Sequence, residues 1–118
     1  MPRQPTGAER RRHARVPAAI PFQLSTQGQQ EAFDLIDLSE SGVRIRCGRS
    51  LAAMTRIQVN MTLPAKRVGA KTDAKIETMG IVVWSHRLDP KAFDTGVFFS
   101  ELDDHQRGVL RAFVSSHT

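Results

Sequence analysis

The chain has 118 residues and a mass of 13.1 kDa, and its 40% hydrophobic and 25% charged content suits one globular domain rather than a disordered chain. No run approaches the ~18 consecutive apolar residues of a membrane span, and residues 1–19 lack the apolar block of a secretory signal. A single cysteine, Cys47, excludes an internal disulfide and a thiolate zinc cluster, which leads to the expectation of a reducing, cytoplasmic setting.

The formal charge of +5 is unevenly placed. Residues 1–15 carry five arginines (Arg3, Arg10, Arg11, Arg12, Arg15) against Glu9, a balance of +4, whereas the remaining twelve basic and eleven acidic side chains leave +1. Arginine outnumbers lysine 13 to 4. Its planar fork suits bidentate contact with phosphate and guanine, where lysine is a point charge. The imbalance points to an anionic partner met by the amino-terminal arm.

In chain order, Met1–Gly7 holds two prolines, a glycine and no hydrophobic periodicity, and is expected to be a flexible tail. Beyond the arginines, Pro17 and Pro21 favour extended backbone. Phe22–Ser25 and Ala32–Ile36 read as strands joined by the polar turn Thr26–Gln30. Val43, Ile45 and Cys47 alternate with Arg44 and Arg46, and Ile57, Val59, Met61 and Leu63 alternate with Gln58, Asn60 and Thr62. Lys66–Lys75 is mostly polar and is expected to be a mobile connector. Ile76–Trp84 reads as a long strand with a bulge or bend at Gly80, and Thr95–Phe99 supplies another. Leu102, Val109, Leu110 and Phe113 then fall at helical spacing behind a capping-box pair, Asp103 and Gln106. Six short strands without intervening helices predict an all-β fold: a small six-stranded antiparallel sandwich or barrel with a C-terminal α-helix over an open end or face.

Two clusters carry chemistry. Taken alone, Arg10-Arg11-Arg12-His13-Ala14-Arg15 reads as a solvated or polyanion-binding arm. Taken alone, Asp37-Leu38-Ser39-Glu40-Ser41-Gly42 reads as a turn in which Asp and Ser bond nearby backbone and Gly takes a positive φ. Together, Arg11-x-x-x-Arg15 and Asp37-x-Ser39-x-x-Gly42, with Val83-Trp84 and Gly96-Val97-Phe98-Phe99 further on, resemble the PilZ domain, a bacterial receptor for cyclic di-GMP. The likeness runs from Glu9 to Phe113.

The resemblance implies a PilZ-type β-barrel, with a disordered tail at residues 1–8, a ligand-clamping arm at 9–16, a barrel at 20–100 and a closing helix at 103–115. It also implies a ligand site. Arg11 and Arg15 would take phosphate and the O6/N7 edge of a guanine, and Asp37 would accept from N1 and N2. Ser39 would add a polar contact, and Gly42 would let the turn approach the base. Arg10 resembles an arginine of members that bind two intercalated cyclic di-GMP molecules. Trp84, the one tryptophan, reads first as core and second as a shelf at the ligand's rim. His86 and Arg87 are expected at the surface, and Cys47 packed rather than reactive.

Nothing in the sequence has the pattern of an enzyme: no phosphate loop, no metal-ligand spacing and no nucleophile elbow. No cofactor is expected besides the ligand cyclic di-GMP. With 118 residues and no separate output domain, a stand-alone receptor would pass its signal to an unidentified effector protein. Two other readings stay open. One is a basic β-barrel that binds nucleic acid through the arm, which the scarcity of aromatic residues for base stacking disfavours. The other is a PilZ-fold protein-interaction module that has lost ligand binding, which the presence of both motifs disfavours.

Overall fold

The strands form where apolar alternation is strictest. The computed structural model describes residues 15–17, 20–30 and 32–116. Strands β1 (Phe22–Thr26), β2 (Gln29–Gln30), β3 (Phe33–Leu38), β4 (Gly42–Cys47) and β5 (Arg56–Leu63) are followed by a four-residue helix, α1 (Ala65–Val68). Then come β6 (Ala74–Asp89), β7 (Ala92–Phe99) and helix α2 (Asp104–Ser115). In β5 the side chains of Ile57, Val59, Met61 and Leu63 are buried, as are Val43, Ile45 and Cys47 in β4. A strand's side chains alternate between faces, so these residues share one inner surface.

All seven strands belong to one antiparallel sheet in the order β2-β1-β5-β6-β7-β4-β3, curled so that its apolar face lines a common core. The curl brings its two ends together, and the rings of Phe22 on β1 and Phe33 on β3 meet edge to face at 5.8 Å. Among the described residues there are seven strands rather than six because the turn after β1 is a hairpin of its own. Gln27 and Gly28 both have positive φ, the geometry of a two-residue hairpin turn, and fold Gln29–Gln30 back onto Ser25 and Thr26. The first two predicted strands therefore do not pair with each other: β1 pairs with β5, and β3 with β4.

Two further expectations are corrected. The pairing of β6 with β5 and β7 runs through Gly80 without a shift, and the irregularity lies between Val82 and Trp84 instead. Gly80 is small because a Cβ there would collide with the Val97 side chain. The expected connector at Lys66–Lys75 begins inside α1, whose first free N–H, at Ala65, donates to Asp73 Oδ1 at 2.9 Å.

Helix α2 begins as its sequence requires. The Asp103 carboxylate accepts from the Gln106 N–H at 2.7 Å, and the Gln106 side chain accepts from the Asp103 N–H at 3.0 Å. Gln106 Nε2 also donates to the Glu77 carbonyl, tying the cap to β6. Leu110, Phe113 and Val114 drop into the core, and the Arg67 guanidinium of α1 lies 4.7 Å above the Phe113 ring. Truncating the fully buried Phe113 to alanine is expected to cost about 3–5 kcal/mol. Asp103→Ala, which removes the cap, should cost about 1 kcal/mol. Urea unfolding of the two variants checks both values.

Candidate functional site

The site is built where the chain enters the sheet. Val16 bridges Leu38 in antiparallel fashion, each N–H donating to the other's carbonyl at 3.0 and 2.9 Å. Both side chains are buried. With Val16 pointing in, alternation turns Arg15 and Pro17 outward. Arg15 Nη1 donates to Asp37 Oδ1 at 2.7 Å.

Asp37 reaches the outer face because β3 carries a bulge. Leu35 pairs with Ile45 and Asp37 with Arg44, which leaves Ile36 as the extra residue. Strict alternation would put Asp37 on the same face as Phe33 and Leu35. The bulge resets the phase, so Phe33, Leu35 and Leu38 face the core while Asp34 and Asp37 face out. Arg44 Nη2 lies 3.0 Å from Asp37 Oδ2. The carboxylate is 13% exposed, sunk between two guanidiniums that are 44% and 38% exposed. These pairs are open enough to solvent to stabilise the fold only weakly.

The turn after β3 is held by Ser39, which is fully buried. Its Oγ accepts from the N–H groups of Ser41 and Gly42, each at 3.2 Å, and its own N–H donates to the Gly42 carbonyl at 2.9 Å. The hydroxyl thus organises the turn from within. Gly42 does not have the positive φ expected of a turn glycine. It is glycine because any Cβ would run into the Val97 carbonyl oxygen of β7.

From Asp37 the outer face continues along one register, from Arg44 on β4 to Gly96 on β7 and Trp84 on β6. The indole of Trp84 occupies the space a Cβ of Gly96 would need. Trp84 is 41% exposed, which corrects its first reading as core. The bulge at Val83 sends it outward, and period-two reading could not have anticipated that shift. His86 and Arg87 are exposed. Cys47 is buried, with Sγ 3.5 Å from Thr95 Oγ1.

Among the sequence-predicted site residues, the structure brings together Arg15 and Asp37, and places Ser39 and Gly42 in the turn beneath them. Arg10 and Arg11 lie outside the described residues. Two neighbours had no motif to announce them. Alternation says of Arg44 only that it faces away from Val43 and Ile45. Glu40, inside the turn, has Oε2 3.2 Å from Arg111 Nε of α2. A hollow of about 820 Å³, bounded by the β1–β2 hairpin and residues 49–58, shares no residue with this strip. Among the described residues, no group of three or more His, Cys, Asp or Glu side chains could hold a metal ion.

The family model of the PilZ domain matches residues 9–116, which includes every residue of this strip. The chain belongs to the PilZ domain family. Its fold is similar to that of the Bacillus subtilis inhibitor of motility MotI/DgrA, with a TM-score of 0.70 and 15% identity over 90% of this chain and 50% of that one. It is also similar to K. pneumonia MrkH in its complex with c-di-GMP, with a TM-score of 0.55 and 17% identity over 85% of this chain and 49% of that one. At such identities the likeness is one of fold, and this PilZ chain spans about half the length of either protein. No curated protein matches the sequence. Among the described residues, no helix is long and apolar enough to cross a membrane.

Ser39→Ala leaves the Ser41 and Gly42 N–H groups without their acceptor. It should cost about 1–3 kcal/mol of stability, measured by urea unfolding in the absence of any ligand.

Proposed function

We propose that this PilZ domain is a bacterial cyclic di-GMP receptor that binds the dinucleotide by folding its arginine arm over the Asp37–Gly42 turn. The observation that carries the reading is the 2.7 Å contact of Arg15 with Asp37. Two motif residues 22 positions apart meet on one surface, and each has a complementary feature in the ligand. A guanidinium suits phosphate and the O6/N7 edge of guanine, and a carboxylate suits the N1 and N2 donors. The MrkH structure, a complex with c-di-GMP on a similar fold, supports the same reading.

In this mechanism the Arg15–Asp37 pair is the resting state. Ligand inserts between the two groups and exchanges one weak, partly exposed ion pair for several charge-assisted contacts. Arg11 joins Arg15 on phosphate and guanine. Arg10 adds a further cation, which suits an intercalated pair of ligand molecules with four phosphates. Ser39 acts by shaping the turn, Gly42 by keeping it tight against β7, and Trp84 lies at the rim. The domain divides into an arm at 9–16, a barrel at 20–100 and a closing helix at 103–115, with residues 1–8 as a tail.

The ligand is a cytoplasmic second messenger, so the protein works in the cytoplasm and passes the signal to an effector protein. The Glu40–Arg111 contact gives the turn a direct route to α2. The messenger is bound and released unchanged, so the role is that of a receptor and not of an enzyme.

Calorimetric titration with cyclic di-GMP, with GMP and cyclic di-AMP as controls, tests the reading. Selective binding at about two ligands per chain is expected. Arg15→Ala or Asp37→Ala should each weaken binding roughly 10- to 150-fold, the equivalent of one charged hydrogen-bonding group. One ligand per chain would remove the intercalated pair and keep the receptor. Binding that is indifferent to base identity and falls steeply with salt would instead favour nucleic acid. Absence of binding at moderate salt would overturn the receptor reading.

A further inference from the structure

Asp37 is shared by two arginines that are anchored very differently. Arg15 stands outside the sheet, next to the Val16–Leu38 bridge. Arg44 stands within it, on a strand paired on both sides, with Asp37 across on β3 and Gly96 across on β7. Arg15 takes Oδ1 at 2.7 Å and Arg44 takes Oδ2 at 3.0 Å. The Nε of Arg44 is buried and has no hydrogen-bond partner among the described residues, and its Nη2 forms an ion pair with Asp37 Oδ2. A ligand that needs an arginine for its phosphate can draw Arg15 away by moving the arm. The backbone of Arg44 is held by pairing on both sides, so its guanidinium stays within reach of Asp37 when the arm moves.

We propose that Arg44, which lies outside both motifs, is a specificity-determining positioning residue that holds the Asp37 carboxylate in the plane of the bound guanine. The proposal rests on the receptor reading above. Guanine offers N1–H and N2–H side by side, and a carboxylate accepts both only when its plane coincides with that of the base. The last torsion of an aspartate is soft and broadly populated, so its partners set that plane. Once Arg15 has moved to the ligand, Arg44 remains at Oδ2 and keeps the carboxylate from rotating. Each carboxylate oxygen has two acceptor sites, so Oδ2 can take Arg44 and the base together.

The consequence is a specificity effect separable from a loss of charge. A base that lacks the 2-amino group uses N1–H alone, and a single hydrogen bond tolerates a rotated carboxylate. Removing Arg44 should therefore penalise guanine more than hypoxanthine. If Arg44 acted only through its positive field, both ligands would weaken by the same factor.

The experiment titrates the full chain and its Arg44→Gln and Arg44→Lys variants with cyclic di-GMP and with cyclic di-inosine monophosphate, and records thermal melting without ligand. The unsubstituted protein should prefer cyclic di-GMP by about tenfold or more. In Arg44→Gln that preference should fall to within about threefold, chiefly through weaker cyclic di-GMP binding. Arg44→Lys, which keeps the charge but loses the planar fork, should fall between the two. An unchanged preference in Arg44→Gln overturns the proposal while leaving the receptor reading intact. Should that variant fail to melt cooperatively, Arg44→Lys decides: a lowered preference supports the role, and an unchanged one overturns it. If the unsubstituted protein binds neither dinucleotide, the receptor reading fails and this one fails with it, and that titration alone separates the two failures.

Discussion

The site depends on one backbone bridge. The two hydrogen bonds between Val16 and Leu38 fix where the arginine-rich segment meets the sheet, and the burial of both side chains fixes its phase. A shift of one residue would turn Val16 out and Arg15 in, since side chains alternate along extended backbone. The meeting of Arg15 with Asp37 is thus a consequence of hydrophobic burial at their neighbours, Val16 and Leu38. The ion pair itself, open to water on its arginine side, is too weak to set that register. Apolar contacts place the charged groups.

The same division runs through the turn and the strip beside it. Ser39 and Gly42 act inwardly, one by accepting backbone N–H groups and the other by letting β4 lie against Val97. Asp37, Arg44 and Trp84 act outwardly, on a register that crosses four strands. A motif read as a single unit is therefore two layers, a buried frame and an exposed set of donors and acceptors. Glu40 adds a third connection, because its contact with Arg111 joins the frame to the closing helix.

Much of this was legible before the fold was known. The strands of β4 and β5 follow from uninterrupted alternation, and α2 from its capping box and helical spacing. The pairing of Asp37 with Arg15 could be expected only through resemblance, because neither residue's neighbours reveal where the chain returns. Two features turn on bulges. Bulges at Ile36 and Val83 each reverse the phase of a strand, and a bulge arises from how two strands fit rather than from the residues of one. Residue type alone reads Trp84 as core, whereas the bulge at Val83 turns it out, and the irregularity expected at Gly80 lies three residues further on. The β1–β2 hairpin reads as a plain turn in the sequence, because two glutamines form a strand there only once Gln27 and Gly28 adopt positive φ.

The sequence by itself determined the composition of the core, the capped helix, the asymmetric charge and the two motifs, all of them properties of neighbouring residues. Tertiary structure alone decided which strands are adjacent, which face each bulged residue takes, and that Arg44 rather than Arg46 reaches Asp37. Arg44 and Arg46 are equivalent in the alternation of β4. The bulge in β3 sets Asp37 opposite Arg44, while Arg46 turns to Asp94 on β7, with Nε 2.9 Å from Oδ1. That choice is made by the register between strands, which a chain acquires only when its buried faces come together.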